Sequence, residues 1–231
     1  MPKKNTDKSR DDILAIRAED QYRTVDELVE RSRPNSVYYT LLIISSFIIA
    51  FGLLLQNSSV VIGGMLVTPV LTPILFVALG IATSELSLIK HVTLILAKSF
   101  AIVFGSGLIA AWVFGAPGTL GFFEDSAAVP ALYFSVALLA GAAGTFAWAR
   151  KDVIDILPGV AIAVALVPPL SLAGIGVSLL DAAFIRLNFL VFLFNGFGVV
   201  IGSLIVFSLL GFYKTKKRVH KETQEATPHK R

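Results

Sequence analysis

Val60–Thr83 reads VVIGGMLVTPVLTPILFVALGIAT, an apolar stretch that is interrupted by Pro69 and Pro73. A proline lacks the backbone N–H of other residues, and its ring clashes with the carbonyl one turn back. A helix over this stretch is therefore predicted to break or kink at both prolines. Inside a membrane, the backbone groups freed at a break cannot face lipid, so they must be buried in protein or line a wet cavity.

A second stretch repeats this pattern at a fixed offset of 100 residues, at Val160–Leu179, VAIAVALVPPLSLAGIGVSL. Seven positions are identical at that offset, namely 60, 62, 66, 67, 69, 77 and 79 of the first stretch. Two proline-broken apolar segments in corresponding places of two halves are typical of transporters that bind a solute near the bilayer midplane. The repeat therefore predicts a duplicated membrane protein with a central solute site.

The composition also indicates a membrane protein. Of the 231 residues, 55% are hydrophobic and 16% are charged, and the mean hydropathy is +0.76. A soluble domain of this size could not bury so much apolar surface, so we predict an all-α integral membrane protein. The absence of cysteine excludes disulfides, thiolate catalysis and cysteine-bound metal.

Polar and apolar segments divide the chain into five regions. They are a charged, amphipathic N-terminal region at 1–36, a first membrane repeat at 37–115, an extracytoplasmic loop at 116–129, a second membrane repeat at 130–212 and a polybasic tail at 213–231. About six spans are predicted: Val37–Leu55, the first broken segment, Val92–Phe114, Pro130–Ala149, the second broken segment and Asn188–Leu210. The remaining predictions are short helices over Asp11–Ala18 and Thr24–Arg31 and loops at Ser84–Lys90 and Asp181–Leu187.

The distribution of Lys and Arg determines the predicted orientation. With both termini inside, 18 of the 20 basic residues lie on the cytoplasmic side, Arg186 lies outside and Lys98 lies within a span. The positive-inside rule therefore predicts that both termini are cytoplasmic. Three spans per half make the second half enter from the side opposite to the first, which predicts a 3+3 inverted repeat with two proline-broken helices. In the matching third spans, Ser99 aligns with Asn195.

Two segments carry a family resemblance: Ile62–Leu75 reads IGGMLVTPVLTPIL, and Leu157–Gly176 reads LPGVAIAVALVPPLSLAGIG. In these residues the chain resembles the prokaryotic "uncharacterised hydrophobic domain" membrane family, a domain of unknown function. The resemblance covers roughly Val37–Gly211. It implies a location in the prokaryotic cytoplasmic (inner) membrane and a multi-span helical fold, but no established activity.

Catalytic chemistry finds little support in the sequence. There is no HExxH, GxSxG or Walker A motif, and the three histidines are scattered over a loop and the tail. Asp152 and Asp155 could act as an acid–base pair near Arg150, but they also balance a basic loop ahead of a helix that begins at Pro158. We therefore expect no enzyme activity, no catalytic residue, no metal site and no cofactor.

The paired prolines have two interpretations. They either kink helices for packing, or they free backbone groups that bind a solute. Lys98 likewise either extends to the lipid headgroups or faces a cavity, where it would favour an anion. The solute-binding hypothesis assigns thirteen residues to the site: Gly63, Gly64, Thr68, Pro69, Thr72, Pro73, Lys98, Pro158, Gly159, Pro168, Pro169, Ser171 and Asn195.

Two classes of function fit the sequence. The first is a transporter or channel for a small polar or charged solute, anions included. The second is a non-transporting membrane scaffold or sensor that acts through its cytoplasmic N-terminal region. Gly198 and Gly202, in GxxxG spacing, predict close helix packing and a homo-oligomer. The other expected partners are anionic lipid headgroups at the charged tails and a small solute or ion, with no nucleic acid.

Overall fold

The computed structural model describes residues 16, 18–31, 35–117, 128–150 and 156–215. These residues form α-helices and one short 3-10 helix, with no strand among them. The helices are α1 (Ala18–Arg31), α2 (Ser36–Leu54), α3 (Ser58–Val67), α4 (Leu71–Thr83), α5 (Leu86–Phe114), α6 (Ala128–Ala149), α7 (Ile156–Ser178) and α8 (Ala182–Leu209), and the 3-10 helix covers Phe212–Thr215. The predicted all-α fold is confirmed.

Several helices are long and apolar enough to cross a membrane. In the described ranges there are four such segments: Ser36–Leu54, Val92–Phe114, Ala131–Ala149 and Ala182–Leu209. Helices α3 and α4 provide a fifth if this pair, which is bent by 59°, counts as one span. The described part of the chain therefore has the helices of a membrane protein, with four to five segments that could span by length and composition, and the predicted number of about six stays a prediction.

Two predicted loops are largely helical, which corrects the sequence-based boundaries. The turn after α4 is confined to Ser84, in the left-handed region with φ of 58°, and Glu85, so α5 already begins at Leu86. At the other loop, the Asp181 carboxylate accepts a hydrogen bond of 3.0 Å from the Phe184 N–H. This side chain caps an otherwise unpaired amide of the first turn, so α8 begins directly after it.

The described part of the N-terminal region forms one helix, α1, which packs on the bundle. The predicted Thr24–Arg31 helix is the second part of α1, whereas the predicted Asp11–Ala18 helix lies almost wholly outside the described residues. Val25, Leu28 and Val29 are buried, and α1 packs against α4, α6 and the 3-10 helix. The apolar side predicted for this helix therefore packs on protein.

The direction of each half follows from contacts between its first and third helices. Near the start of α2, the Tyr38 hydroxyl shares a hydrogen bond of 2.8 Å with the Ser99 hydroxyl of α5. Near the ends of the same helices, the rings of Phe51 and Phe114 lie 5.5 Å apart. The second contact lies further along both helices than the first, so α2 and α5 run parallel.

Helices α6 and α8 of the second half are also parallel, and their packing corrects the role predicted for the GxxxG pair. Gly198 faces the Phe134 carbonyl of α6, and Gly202 faces the Leu138 carbonyl one turn further on. The Ser203 hydroxyl donates a hydrogen bond of 3.1 Å to the Gly141 carbonyl. The two glycines therefore let α6 and α8 approach closely within one chain, and they offer no surface to a second copy.

The end of α8 lies against α1, the helix that precedes α2 in the chain. The Gln21 side-chain amide of α1 donates a hydrogen bond of 2.8 Å to the Leu210 carbonyl, directly after α8. Only four residues separate α1 from α2. Helix α8 therefore runs towards the end of the bundle from which α2 and α5 depart, and we refer to it as the α1 end.

Candidate functional site at the helix break

The first proline segment breaks at Pro69 as predicted, whereas Pro73 lies in the first turn of α4 and causes no second break. Helix α3 ends at Val67, and Thr68 is extended, with φ of −73° and ψ of 120°. Proline disfavours helical angles in the residue before it, so Pro69 accounts for this conformation of Thr68. The Thr68 hydroxyl donates a hydrogen bond of 3.1 Å to the Gly64 carbonyl, which satisfies one of the carbonyls at the end of α3.

The new helix starts in the interior of the bundle without a side-chain cap. Helix α4 begins at Leu71, and Val70, at its N-cap position, makes no capping hydrogen bond. Val70 is fully buried and Leu71 nearly so. The first amides of a helix lack intrahelical partners and carry the positive end of the helix dipole. The break therefore places polar N–H groups, with a partial positive charge, inside an apolar bundle.

The break between α3 and α4 lies level with the middle of α2, the first span. A Cβ atom added to Gly52 would lie 2.8 Å from Val61 Cγ2, and one added to Gly64 would lie 2.6 Å from Ile49 Cγ1. These contacts make α2 and α3 an antiparallel hairpin. One further turn along α3 reaches the break at the level of Ser45, halfway along α2.

The second proline segment is not broken, which corrects the prediction. Helix α7 continues through Pro168 and Pro169. The cause is its central position, because it packs against α2, α3, α4, α5, α6 and α8 and is largely buried from Leu166 to Gly176. Neighbours on every side keep it helical, and prolines are tolerated in membrane helices where neighbours satisfy the freed carbonyls.

Ser171 lies on α7 just beyond these prolines. It is fully buried, and its hydroxyl has no hydrogen-bond partner among the described residues. It lies against Gly107 of α5, where a Cβ atom would lie 2.9 Å from the Ser171 hydroxyl. A buried hydroxyl without a partner is costly, so a polar ligand or water that reached Ser171 would be bound favourably.

The structure brings together only part of the predicted site. Thr68, Pro69, Thr72 and Pro73 form the break, and α3 packs on α7, which carries Pro168, Pro169 and Ser171. Asn195 is buried on α8, one residue from Gly196, which approaches Leu166 of α7. Pro158 and Gly159 lie in the first turn of α7, and their surroundings fall outside the described part.

Two predicted residues lie apart from this group. The side chain of Lys98 is exposed, and its neighbour Ser99 is level with the first turn of α2, towards the α1 end. Gly63 is exposed, and a Cβ atom there would meet nothing within 4 Å. Ser99, which aligns with Asn195 in the sequence, is buried as Asn195 is, whereas the Lys98 side chain points to the exterior.

A cavity of about 420 Å³ opens beside the break, but its lining is apolar. It is lined by Ile74, Val77, Ile81, Thr93, Leu96, Ala97, Phe100, Leu166, Phe192, Leu193, Gly196, Phe197 and Val200. Phe197 is 63% exposed and Ile81 is 40% exposed, so the cavity is open to the exterior of the bundle. A polar solute would find a single hydroxyl here, that of Thr93.

Several buried polar residues escaped the sequence analysis. Ser45, Ser46, Ser106, Thr145 and Ser203 are all buried within helices. Ser45 and Ser46 donate to the Leu42 carbonyl at 3.0 and 2.6 Å, and Ser106 donates to its own helix. The available signal was a hydroxyl inside an apolar span, but Thr93 and Ser208 also carry one and are exposed, so this signal alone does not identify an inward-facing position. No group of three or more metal-ligating side chains occurs within the described ranges.

The comparisons with known proteins give a family and no function. The chain is 24% identical over 199 residues to an uncharacterized protein, MJ0678, of Methanocaldococcus jannaschii. The alignment covers 84% of this chain and 59% of that protein. No solved structure matches the chain. A family described as a domain of unknown function, DUF389, matches residues 65–201, which include the break and both prolines of α7, and the chain belongs to this family.

Proposed function

We propose that the protein is a transporter or channel for a small polar or charged solute, which binds at the break between α3 and α4. The observation that carries this proposal is the uncapped start of α4 at Val70, buried in the interior. Amides at such a position need a partner, and a bound solute or water can supply it.

The chemistry of the break favours a solute with hydrogen-bond acceptors or negative charge. The N-terminus of a helix presents N–H donors and a partial positive charge, which suits an anion. Ser171 of α7 adds a buried hydroxyl without a partner in the described part of the chain. The exposed Lys98 takes no part in this argument, so the preference rests on the helix end.

The contacts between helices support an inverted repeat, which we include in the proposal. One side-chain hydrogen bond links the first and third helices of each half. It joins Tyr38 and Ser99, 61 residues apart, in the first half and Gly141 and Ser203, 62 residues apart, in the second. The two pairs run in opposite directions, since α8 ends against α1, the helix that precedes α2. Helix α4 packs on α8 and α5 on α7, which is the exchange expected of two halves related by a pseudo-two-fold axis.

We further propose that the α1 end faces the cytoplasm of a prokaryotic cell whose inner membrane holds the protein. The excess of Lys and Arg in both terminal regions motivates this orientation. Single cysteines at Ser126 and Lys217, treated in intact cells with an impermeant thiol reagent, test it. Labelling is expected at position 126 alone, and labelling at position 217 alone would reverse the orientation.

Flux into proteoliposomes tests the transport function directly. Purified protein is reconstituted and assayed with a panel of inorganic anions, cations and small metabolites. We expect uptake of at least one solute, and we expect Thr68→Val to reduce it because this variant removes the hydroxyl at the break. Gly63→Ala is the matched control, since its surroundings are empty within 4 Å. A panel in which no solute moves would contradict transport.

A scaffold or sensor function has one observation in its favour. Helix α1 is docked on the bundle through buried Val25 and Leu28 and through the Gln21 hydrogen bond to Leu210. A partner that binds α1 could thereby sense the ends of α4, α6 and α8. If no solute moves and a Gln21→Ala variant changes capture of a cytoplasmic protein, this function replaces transport.

A further inference from the structure

The apolar cavity beside the break is a groove on the outer surface of the bundle, between α4, α5 and α8. Its described lining holds one hydroxyl and no charge, and its volume is about 420 Å³. Thr93 and Ala97, on the α5 side of the groove, are both exposed. A surface of this kind, on helices able to cross a membrane, faces hydrocarbon and not water.

One end of this groove is basic. Lys90 precedes Thr93 by three residues and Ala97 by seven, so it lies on the same stripe of α5, one turn nearer the α1 end. Its side chain is exposed and makes no ion pair with the residues that the structure describes. Lys214, also exposed, follows α8 at the same end of the bundle. Positive charge therefore lies where the apolar groove reaches the expected headgroup level.

We propose that this groove binds one acyl chain of an anionic phospholipid, with the phosphate of its headgroup at Lys90. An apolar channel with a basic end complements a molecule that joins a hydrocarbon chain to an anionic head. Basic sites between transmembrane helices on the cytoplasmic side are known to bind such headgroups. A polar solute would make no favourable contact with the apolar wall of the groove. A second copy of the chain would leave the Lys90 ammonium group without an anion.

Native mass spectrometry of the purified full chain tests this site with two lipids. The protein is titrated in a neutral detergent with phosphatidylglycerol or phosphatidylcholine of identical acyl chains. The wild-type protein is expected to bind the anionic lipid about five-fold more tightly, the effect of roughly one basic residue near a membrane surface. Lys90→Gln should remove this difference while leaving the weaker binding of both lipids.

Two further variants separate the groove from general surface effects. Lys98→Gln is the matched control, because Lys98 is an exposed lysine of the same helix outside the lining, and it should retain the five-fold difference. Ala97→Phe fills the groove from an exposed position and should weaken both lipids. An unchanged preference in Lys90→Gln, or unchanged binding in Ala97→Phe, would overturn the proposal. So would an Ala97→Phe variant that loses an oligomer instead of lipid, since the groove would then be an interface between copies.

Discussion

The two proline segments of this protein have related sequences and different structures. The first breaks at Thr68, and α3 and α4 bend by 59°. The second carries two adjacent prolines, Pro168 and Pro169, and remains one helix. Local preference alone would not predict this difference, because each segment carries two prolines, at 69 and 73 and at 168 and 169. The comparison shows that the surroundings of a proline decide whether it breaks a helix.

Those surroundings differ in the number of helices that hold each segment. Helix α7 lies between six neighbouring helices, and glycines bring it very close to α5, because Gly107 lies against Ser171 and Gly174 against Phe104. In the described part of the chain, helix α3 packs mainly on α2 and α7. Two segments of related sequence therefore form one continuous central helix and one bent pair of helices whose ends are polar. The four predictions below test this difference.

The largest effect is expected from the proline that breaks the helix. Val70 already has helical angles, φ of −78° and ψ of −20°, so Thr68 is the residue that must change to join α3 and α4. Pro69→Ala restores an N–H and removes the constraint on Thr68. The interior start of α4 then disappears, and we expect flux into proteoliposomes to fall at least about tenfold, to the level of empty vesicles.

Pro169→Ala is the counterpart in the unbroken segment. It adds an N–H to a backbone that is already helical, so flux should stay within about twofold of wild type and the melting temperature should rise. Equal loss of flux in both variants would mean that α7 also opens during transport. Wild-type flux in Pro69→Ala would remove the break from the site.

The second prediction compares how tightly helices pack in the two halves. A Cβ atom at Gly202 would overlap the Leu138 carbonyl of α6, which is backbone and cannot move alone. At Gly64 the closest atom is Cγ1 of Ile49, a side chain with some freedom. We expect Gly202→Ala to cost about 3 kcal/mol or more and Gly64→Ala about 1 kcal/mol, as measured by unfolding in mixed detergent.

Gly196→Ala and Gly63→Ala are the controls for these variants. The added Cβ at Gly196 would lie at an ordinary 3.8 Å from Leu166 Cδ2, and the one at Gly63 in open space. Both should be neutral or stabilising by up to about 1 kcal/mol, since alanine favours helices over glycine. A Gly64→Ala variant as damaging as Gly202→Ala would show that α2 and α3 are packed as rigidly as α6 and α8.

The sequence predicted those features that depend on local chemistry. Long apolar runs predicted the spans of α2, α5 and α6, and Pro69 predicted the break. The continuity of α7 was missed because it depends on six neighbouring helices, which no local pattern reveals. The outward direction of the Lys98 side chain could not be predicted from the sequence either. In a membrane helix both the lipid face and the packed face are apolar, so periodicity does not reveal which side points inward.

The third prediction concerns Ser171, whose position matches Leu71 of the broken half. Its buried hydroxyl has no partner among the residues in view, so Ser171→Ala should leave the melting temperature unchanged or slightly raised. If the hydroxyl contacts the solute, flux should fall several-fold, in line with the loss of about one hydrogen bond. A lower melting temperature with unchanged flux would assign Ser171 to packing alone.

The smallest effects are expected where the first and third helices of each half are joined by a side-chain hydrogen bond. Tyr38→Phe removes the bond to Ser99, but the Ser99 hydroxyl keeps its bond of 2.9 Å to the Ile95 carbonyl. Ser203→Ala removes the bond to Gly141, whose carbonyl lies within α6. Interhelical hydrogen bonds in membranes average about 0.6 kcal/mol, because the separated helices find other partners. The free energy of unfolding should therefore fall by about this amount in both variants, and by the same amount in each if the two halves are equivalent in this contact. Unfolding of the two variants beside the wild type measures the difference, and a loss above about 1.7 kcal/mol in one variant alone would show that the halves depend on this bond unequally.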